Sequence, residues 1–206
     1  MALTFQYRVP AAIPSRLALF PGAWNPPTVA HLAIARAALD YVSEVVWLLP
    51  RAFPHKAFEG VDFAQRLDML VAIARWELGF SVAVADGGLY VEMADDARAL
   101  LGPEPEIALL CGRDAAERIA NWNYQEPGVF DAMVDRYPLL VAGRDGDYLP
   151  HAHHAERVIR VPLSAQFNEV SSTEVRNRMA KGMPWRHLIP NAIVEQVYRI
   201  YGGAET

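Results

Sequence analysis

Two stretches far apart in the chain carry residue types suited to gripping phosphate. The later one is Val170-Ser171-Ser172-Thr173-Glu174-Val175-Arg176, and the earlier one is Gly22-Ala23-Trp24-Asn25-Pro26-Pro27-Thr28-Val29-Ala30-His31. Both read as the place where a loop becomes a helix. The first turn of a helix leaves backbone N–H groups unpaired and carries partial positive charge. Ser171 with Glu174 fits a capping box, in which hydroxyl and carboxylate satisfy free N–H groups reciprocally. The hydroxyls of Ser172 and Thr173, with the Arg176 guanidinium one turn on, complete the donors of a phosphate site. Alone, the later stretch is equally an ordinary capped surface helix, and His31 alone is equally a core histidine. It is the pair that points to phosphate chemistry.

The elements that must hold these loops follow from apolar patterning. Arg16–Pro21 is a short buried-strand run ended by Pro21-Gly22. A turn at Asn25-Pro26-Pro27-Thr28 leads into a helix to about Asp40, with Asn25 and Thr28 both fitting as caps. Glu44–Leu49 is a second strand. Val61–Leu78 is an amphipathic helix, with Phe63, Leu67, Leu70, Val71, Ala74 and Leu78 at helical spacing. Phe80–Ala85 is a third strand, residues 91–101 a helix, and Glu106–Cys111 a fourth strand running into Gly112-Arg113-Asp114 and a helix to about Asn121. Tyr137–Ala142 and Arg157–Val161 are further strands. A last helix starts at Pro190 and buries Ile193, Val194, Val197 and Ile200. Strands alternating with helices imply parallel pairing through right-handed crossovers, with the ligand crevice beyond the carboxyl ends of the strands. Gly22, Pro50 and Gly112 each end a strand, so their loops are expected to converge there.

Composition narrows the partners. The 206 residues suffice for one domain, read as residues 16–206 behind an irregular extension over residues 1–15. A net charge of −5 argues against broad nucleic-acid binding, so a polyanion site must be local. One cysteine, Cys111, excludes an internal disulfide and a cysteine-based metal cluster. No apolar run reaches membrane-spanning length, and Gln6, Arg8, Pro10 and Pro14 interrupt any signal-peptide core. The expected location is the cytoplasm.

The two loops, in this order and on this pattern, resemble the nucleotidylyltransferase superfamily, and within it the bacterial nicotinate-mononucleotide adenylyltransferases. The first motif is Gly22 to His31, the second Ser171 to Arg176. Pro54-His55-Lys56, Gln65-Arg66-Leu67-Asp68-Met69, Gly112-Arg113-Asp114, Trp122, and Gly182 with Leu188-Ile189-Pro190 also fit, so the resemblance spans roughly residues 16–201. It implies a Rossmann-like, doubly wound α/β fold with a mainly parallel sheet and helices on both faces. It also implies transfer of AMP from ATP to nicotinate mononucleotide, giving deamido-NAD and pyrophosphate, with Mg2+ carried by ATP. No metal ligand of the protein's own is expected, and a homo-oligomer is left open.

The resemblance assigns roles residue by residue. His31, Thr28, Lys56 and Arg176 would act on the reacting phosphates, with His31 donating as an imidazolium. Gly22, Ala23, Trp24, Gly112, Asp114, Ser171, Ser172 and Thr173 would hold ATP, and Tyr90, Trp122 and Arg144 the acceptor, with Trp122 stacking on its ring. The sequence departs from the family at Ala30, where glycine is usual, at Ala23-Trp24, and at Leu89-Tyr90-Val91, which lacks the usual hydroxyls. These departures keep two rivals in view: a sister enzyme using another phosphorylated acceptor, and a non-catalytic nucleotide-binding module. His151, His153 and His154 read as chance surface histidines, since no carboxylate or cysteine pattern accompanies them. Cys111 reads as a buried small residue, and Trp47, Trp76 and Trp185 as packing.

Overall fold

The computed structural model describes residues 3–9, 15–54, 60–143, 146 and 148–202. Seven strands form one sheet: β1 (Leu3–Tyr7), β2 (Arg16–Pro21), β3 (Glu44–Pro50), β4 (Phe80–Ala85), β5 (Glu106–Gly112), β6 (Leu139–Ala142) and β7 (Val158–Val161). Their order is β1-β4-β3-β2-β5-β6-β7. Every neighbouring pair is parallel except β1 with β4. The chain winds outward from β2 through β3 to β4, then returns to place β5 against the other side of β2. That reversal is the topological switch point, where the carboxyl ends of β2 and β5 leave a crevice between diverging crossovers.

Among the described residues seven α-helices cover the sheet: α1 (Val29–Ala38), α2 (Phe63–Trp76), α3 (Tyr90–Leu101), α4 (Arg113–Ala120), α5 (Val129–Arg136), α6 (Ser172–Ala180) and α7 (Val194–Tyr201). Strand alternation divides the core. Ala18, Phe20, Val45, Trp47 and Leu49 face one layer with α1, α2 and α7. Leu17, Leu19, Val46 and Leu48 face the other with α3, α4 and α5. Central strands buried on both faces read as unbroken apolar runs, which is why β2, β3 and β4 were legible. The expected doubly wound α/β fold is the observed one.

Several expectations are corrected. Residues 1–15 are not wholly irregular: Leu3–Tyr7 adds an edge strand, Leu3 opposite Ala85 and Phe5 opposite Ala83. Helix α5 was not anticipated, because eight residues are too few to display a period; its start is set by Gly128 in the left-handed region at φ 78°. The helix expected to reach Leu78 stops at Trp76, and Trp76 is 79% exposed rather than packed. Trp47 is fully buried, and Trp185 packs against the core. Among the described residues no helix is long and apolar enough to cross a membrane.

Candidate active site

A crevice of about 440 Å³ opens at the switch point. Pro21 and Gly22 at the end of β2 form one wall, and Cys111 and Gly112 at the end of β5 another. His31 from α1 and Ser172, Thr173 and Arg176 from α6 close it. The two loop-to-helix turns, 146 residues apart where Ser172 donates to the Pro26 carbonyl at 2.7 Å, therefore share one cavity.

The earlier turn is built from local caps. Thr28 is fully buried as the N-cap of α1, and its hydroxyl accepts from the His31 amide at 3.5 Å. In return the Thr28 amide donates to His31 Nδ1 at 3.0 Å, a reciprocal box with histidine in the place usually held by Glu or Gln. An amide nitrogen only donates, so Nδ1 presents a lone pair and the ring proton sits on Nε2. This arrangement is a neutral imidazole, not the expected imidazolium. Trp24 sits at φ 53° with its indole N–H on the Leu48 carbonyl at 2.9 Å, and its ring meets the His31 ring edge-on at 5.2 Å. Trp24 thus buttresses the histidine. Gly22 is required beneath it, because a Cβ there would lie 2.7 Å from the indole. Arg66, buried in α2, donates to the Ala23 carbonyl at 3.0 Å, and burial lowers its pKa.

The later turn makes half of its expected box. Ser171 caps α6 by accepting from the Glu174 amide at 3.1 Å, but the Glu174 carboxylate accepts from Arg178 Nε at 2.6 Å instead of reaching back. A guanidinium one turn away out-competes the backbone N–H for that carboxylate. Ser171 is not part of the crevice wall, whereas Ser172 and Thr173 are. Arg176 donates to the Asn25 carbonyl and, at 3.3 Å, to Thr173 Oγ1. Tyr201 from α7 donates to Asn25 Oδ1 at 2.6 Å, so α6 and α7 together hold the Asn25–Pro26 turn.

A second hollow of about 180 Å³ adjoins the first, sharing Pro21, Gly22, Ala23, Tyr90, Ala115 and Arg118. It is mainly apolar and adds Phe53, Leu89, Trp122 and Tyr124. Tyr90 is partly exposed as a residue, but its hydroxyl is enclosed, and burial raises its pKa well above the ordinary value. Burial likewise pushes Tyr124 up to about 12. Gly88 at the rim admits no side chain, since a Cβ would lie 2.3 Å from the Ala52 carbonyl oxygen.

Of the residues singled out in the sequence, His31, Trp24, Gly112, Asp114, Ser172, Thr173 and Arg176 line the larger cavity, Trp122 the smaller, and Gly22, Ala23 and Tyr90 both. Thr28 and Ser171 act from behind the wall. Lys56 and Arg144 lie outside the described residues. Ala30 is fully buried in the core and is absent from the crevice wall, so its methyl does not narrow the cavity. Cys111 is 1% exposed and burial pushes its thiol up to about 12, which suits a packing residue and not a nucleophile. Sequence reasoning missed Arg118, a cation on the wall of both cavities. Its only signal is position: it falls four residues, one helical turn, before Trp122.

Comparison with known proteins agrees with this geometry. Residues 19–178 match the family described as Cytidylyltransferase-like. A "Probable nicotinate-nucleotide adenylyltransferase" of Anaeromyxobacter dehalogenans is 35% identical over 199 residues, covering 91% of this chain and 97% of that protein. One of the same description from Stenotrophomonas maltophilia is 31% identical, covering 85% and 91%. Among solved structures, the Plasmodium falciparum nicotinic acid mononucleotide adenylyltransferase complexed with NaAD superposes with a TM-score of 0.66, covering 90% of this chain and 95% of that one. At 16% identity that likeness speaks for the fold. With a family match running from the first phosphate turn through the second, and relatives aligned along almost their whole length, this chain belongs to the cytidylyltransferase-like family, among its nicotinate-nucleotide adenylyltransferases.

Proposed function

We propose that the chain transfers AMP from ATP to nicotinate mononucleotide, giving deamido-NAD and pyrophosphate in NAD biosynthesis. The observation that carries this reading is the pair of adjoining cavities. A polar one is edged by His31 and Arg176, and an apolar one by Trp122 and Tyr124. The triphosphate occupies the first and the pyridine ring the second. Their shared wall at Gly22, Ala23 and Arg118 then lies where the two phosphates meet.

An oxygen of the acceptor phosphate attacks the α-phosphorus of ATP. The new P–O bond forms as the bond to the β-phosphate oxygen breaks, and pyrophosphate leaves with that electron pair. The attacking phosphate is already ionised, so no general base is needed, and catalysis is alignment and charge stabilisation. His31 donates from Nε2 to the oxygens of the reacting phosphorus. Arg176 and the Thr173 hydroxyl, with the first-turn amides of α6, hold the β- and γ-phosphates. Gly112 carries no Cβ where the nucleoside must lie against the backbone, and nothing stands within 4 Å of where one would be. Asp114, exposed in the first turn of α4, is placed to accept from a ribose hydroxyl. Magnesium arrives on ATP as part of the substrate. Asp114 is the one carboxylate among the described residues lining this cavity, so phosphate oxygens and water would supply most of the ion's ligands.

The carboxylate of the pyridine ring finds positive charge at Arg118, on the wall of both cavities, while the first turn of α3 is already capped by the Glu92 carboxylate, which accepts from the Leu89 amide at 3.4 Å. The test is pyrophosphate release over a panel of nucleoside triphosphates and phosphorylated acceptors. ATP with nicotinate mononucleotide should give the highest kcat/KM. A better acceptor without the carboxylate, or no release with any pair, would overturn the assignment.

A further inference from the structure

Sequence reasoning dismissed His151, His153 and His154 because no carboxylate or cysteine pattern with metal-ligand spacing accompanies them in the chain. The fold supplies a carboxylate. Asp131, in the first turn of α5, comes against the short 3-10 turn Ala152–His154 that precedes β7. Its Oδ1 lies 2.9 Å from His154 Nε2 and 3.4 Å from His153 Nε2. The two imidazoles are themselves close, with ring centroids 3.9 Å apart and tilted by 55°. One donor atom from each of the three residues can be chosen so that all lie within 4.8 Å of one another.

Hydrogen bonding accounts for His153, whose Nε2 pairs with Asp131 Oδ1 at 3.4 Å, but not for His154. His154 is 2% exposed, and although its Nε2 is close to Asp131, the contact lacks hydrogen-bond geometry and the atom has no other partner. A buried ring nitrogen held beside a carboxylate oxygen, but misaligned with it, is a poor donor. It is a good lone pair for an ion seated between them. Bonds of about 2.0–2.1 Å to a tetrahedral zinc put ligand atoms roughly 3.3–3.4 Å apart; the 3.4 Å pair of Asp131 with His153 matches, and the 2.9 Å pair with His154 would open slightly around an ion. His153 is exposed, and its ring, bonded to Asp131, stacks on the His151 ring at 5.7 Å. On the opposite side the edge of Phe130 packs on the His154 ring at 5.2 Å, holding the buried ligand in place.

We propose that Asp131, His153 and His154 form a binding site for a zinc-class divalent cation. Two imidazoles and one carboxylate are borderline ligands that select zinc, cobalt or nickel over magnesium or calcium. The site faces the hollow that contains His151 and Trp122, which leaves a fourth position open to water. It lies on the α5 side of that hollow, and none of its three ligands lines either cavity of the active site. The proposal does not rest on the transferase reading, although the hollow shares Trp122 and Tyr124 with the smaller cavity.

The experiment is calorimetric titration of the chelator-treated full chain with zinc chloride, and with cobalt chloride followed by visible absorption. Wild type should bind one ion per chain, and the cobalt form should show the intense bands of tetrahedral coordination. His153→Ala replaces an exposed side chain and should melt like the metal-free wild type. Its zinc affinity should fall roughly tenfold or more, since even the partners of metal ligands contribute that much. Asp131→Asn should weaken binding in the same direction. Failure of wild type to bind zinc, or equal binding by wild type and His153→Ala, would overturn the site.

Discussion

Replacing His31 by alanine separates its chemical role from its structural one. The side chain reaches the crevice from the third residue of α1, and its Nδ1 is already committed to the Thr28 amide. What it offers the substrate is a single Nε2 proton. Removing one preorganised donor from the charge that develops in a transition state costs about 2.7–4 kcal/mol, or roughly 10²–10³ in kcat. The structural loss at Nδ1 is the bonding to the Thr28 amide and hydroxyl, which share that one ring nitrogen, net about 0.5–1.5 kcal/mol. At about 2–4 °C per kcal/mol for a chain of this size, melting should fall by only about 1–6 °C. The assay is pyrophosphate release at saturating ATP and nicotinate mononucleotide, paired with a thermal melt. His31→Gln keeps a neutral N–H donor of similar reach and should recover part of the lost rate. A His31→Ala kcat within about threefold of wild type would remove the imidazole from the mechanism. A glutamine variant no better than alanine would refute the neutral-donor reading.

Two further outcomes follow from packing and burial. Gly88→Ala pushes a methyl against the Ala52 carbonyl and Pro54, so it should raise KM for the acceptor while leaving KM for ATP nearly unchanged; the opposite pattern would misplace the pyridine pocket. The Cys111 thiol is raised from 9.0 to about 12 by burial, so between those values the unfolded chain ionises while the folded chain stays neutral. The unfolded state then holds fewer protons, and stability falls as pH rises above 9, by up to about 1.4 kcal/mol per pH unit. Tyr90 and Tyr124, also raised by burial, add in the same direction. Denaturant midpoints measured across alkaline pH should decline steeply for wild type and less steeply for Cys111→Ala, and parallel curves would contradict the assignment.

Much of the architecture was legible because its causes are local. Arg16–Pro21 and Phe80–Ala85 appear in the structure with the bounds their apolar runs suggested. The N-caps Thr28 and Ser171 lie where a hydroxyl precedes a helical period. The Thr28–His31 box was also local, four residues end to end, but was not read, because histidine is an unusual partner for a capping hydroxyl. Helix α5 and strand β1 were missed for a different reason. Each is short and weakly patterned, and each is stabilised by what it packs on: β4 for the strand, and for the helix the core layer into which its own Met133 and Val134 are buried.

The sequence by itself determined most of the element types, the two loop-to-helix turns and the chemistry their side chains can perform. These depend on spacings of two to four residues, which backbone geometry fixes wherever they occur. Only the tertiary structure decided partnerships between distant residues. It joined the Ser172 hydroxyl to Pro26, set Arg118 on the wall between the cavities, left Trp76 in solvent, and brought Asp131 to the histidines of the β6–β7 connection. Those contacts arise from how crossovers stack helices over a sheet whose winding reverses beside β2, and that geometry is a property of the assembled layers, not of any one segment.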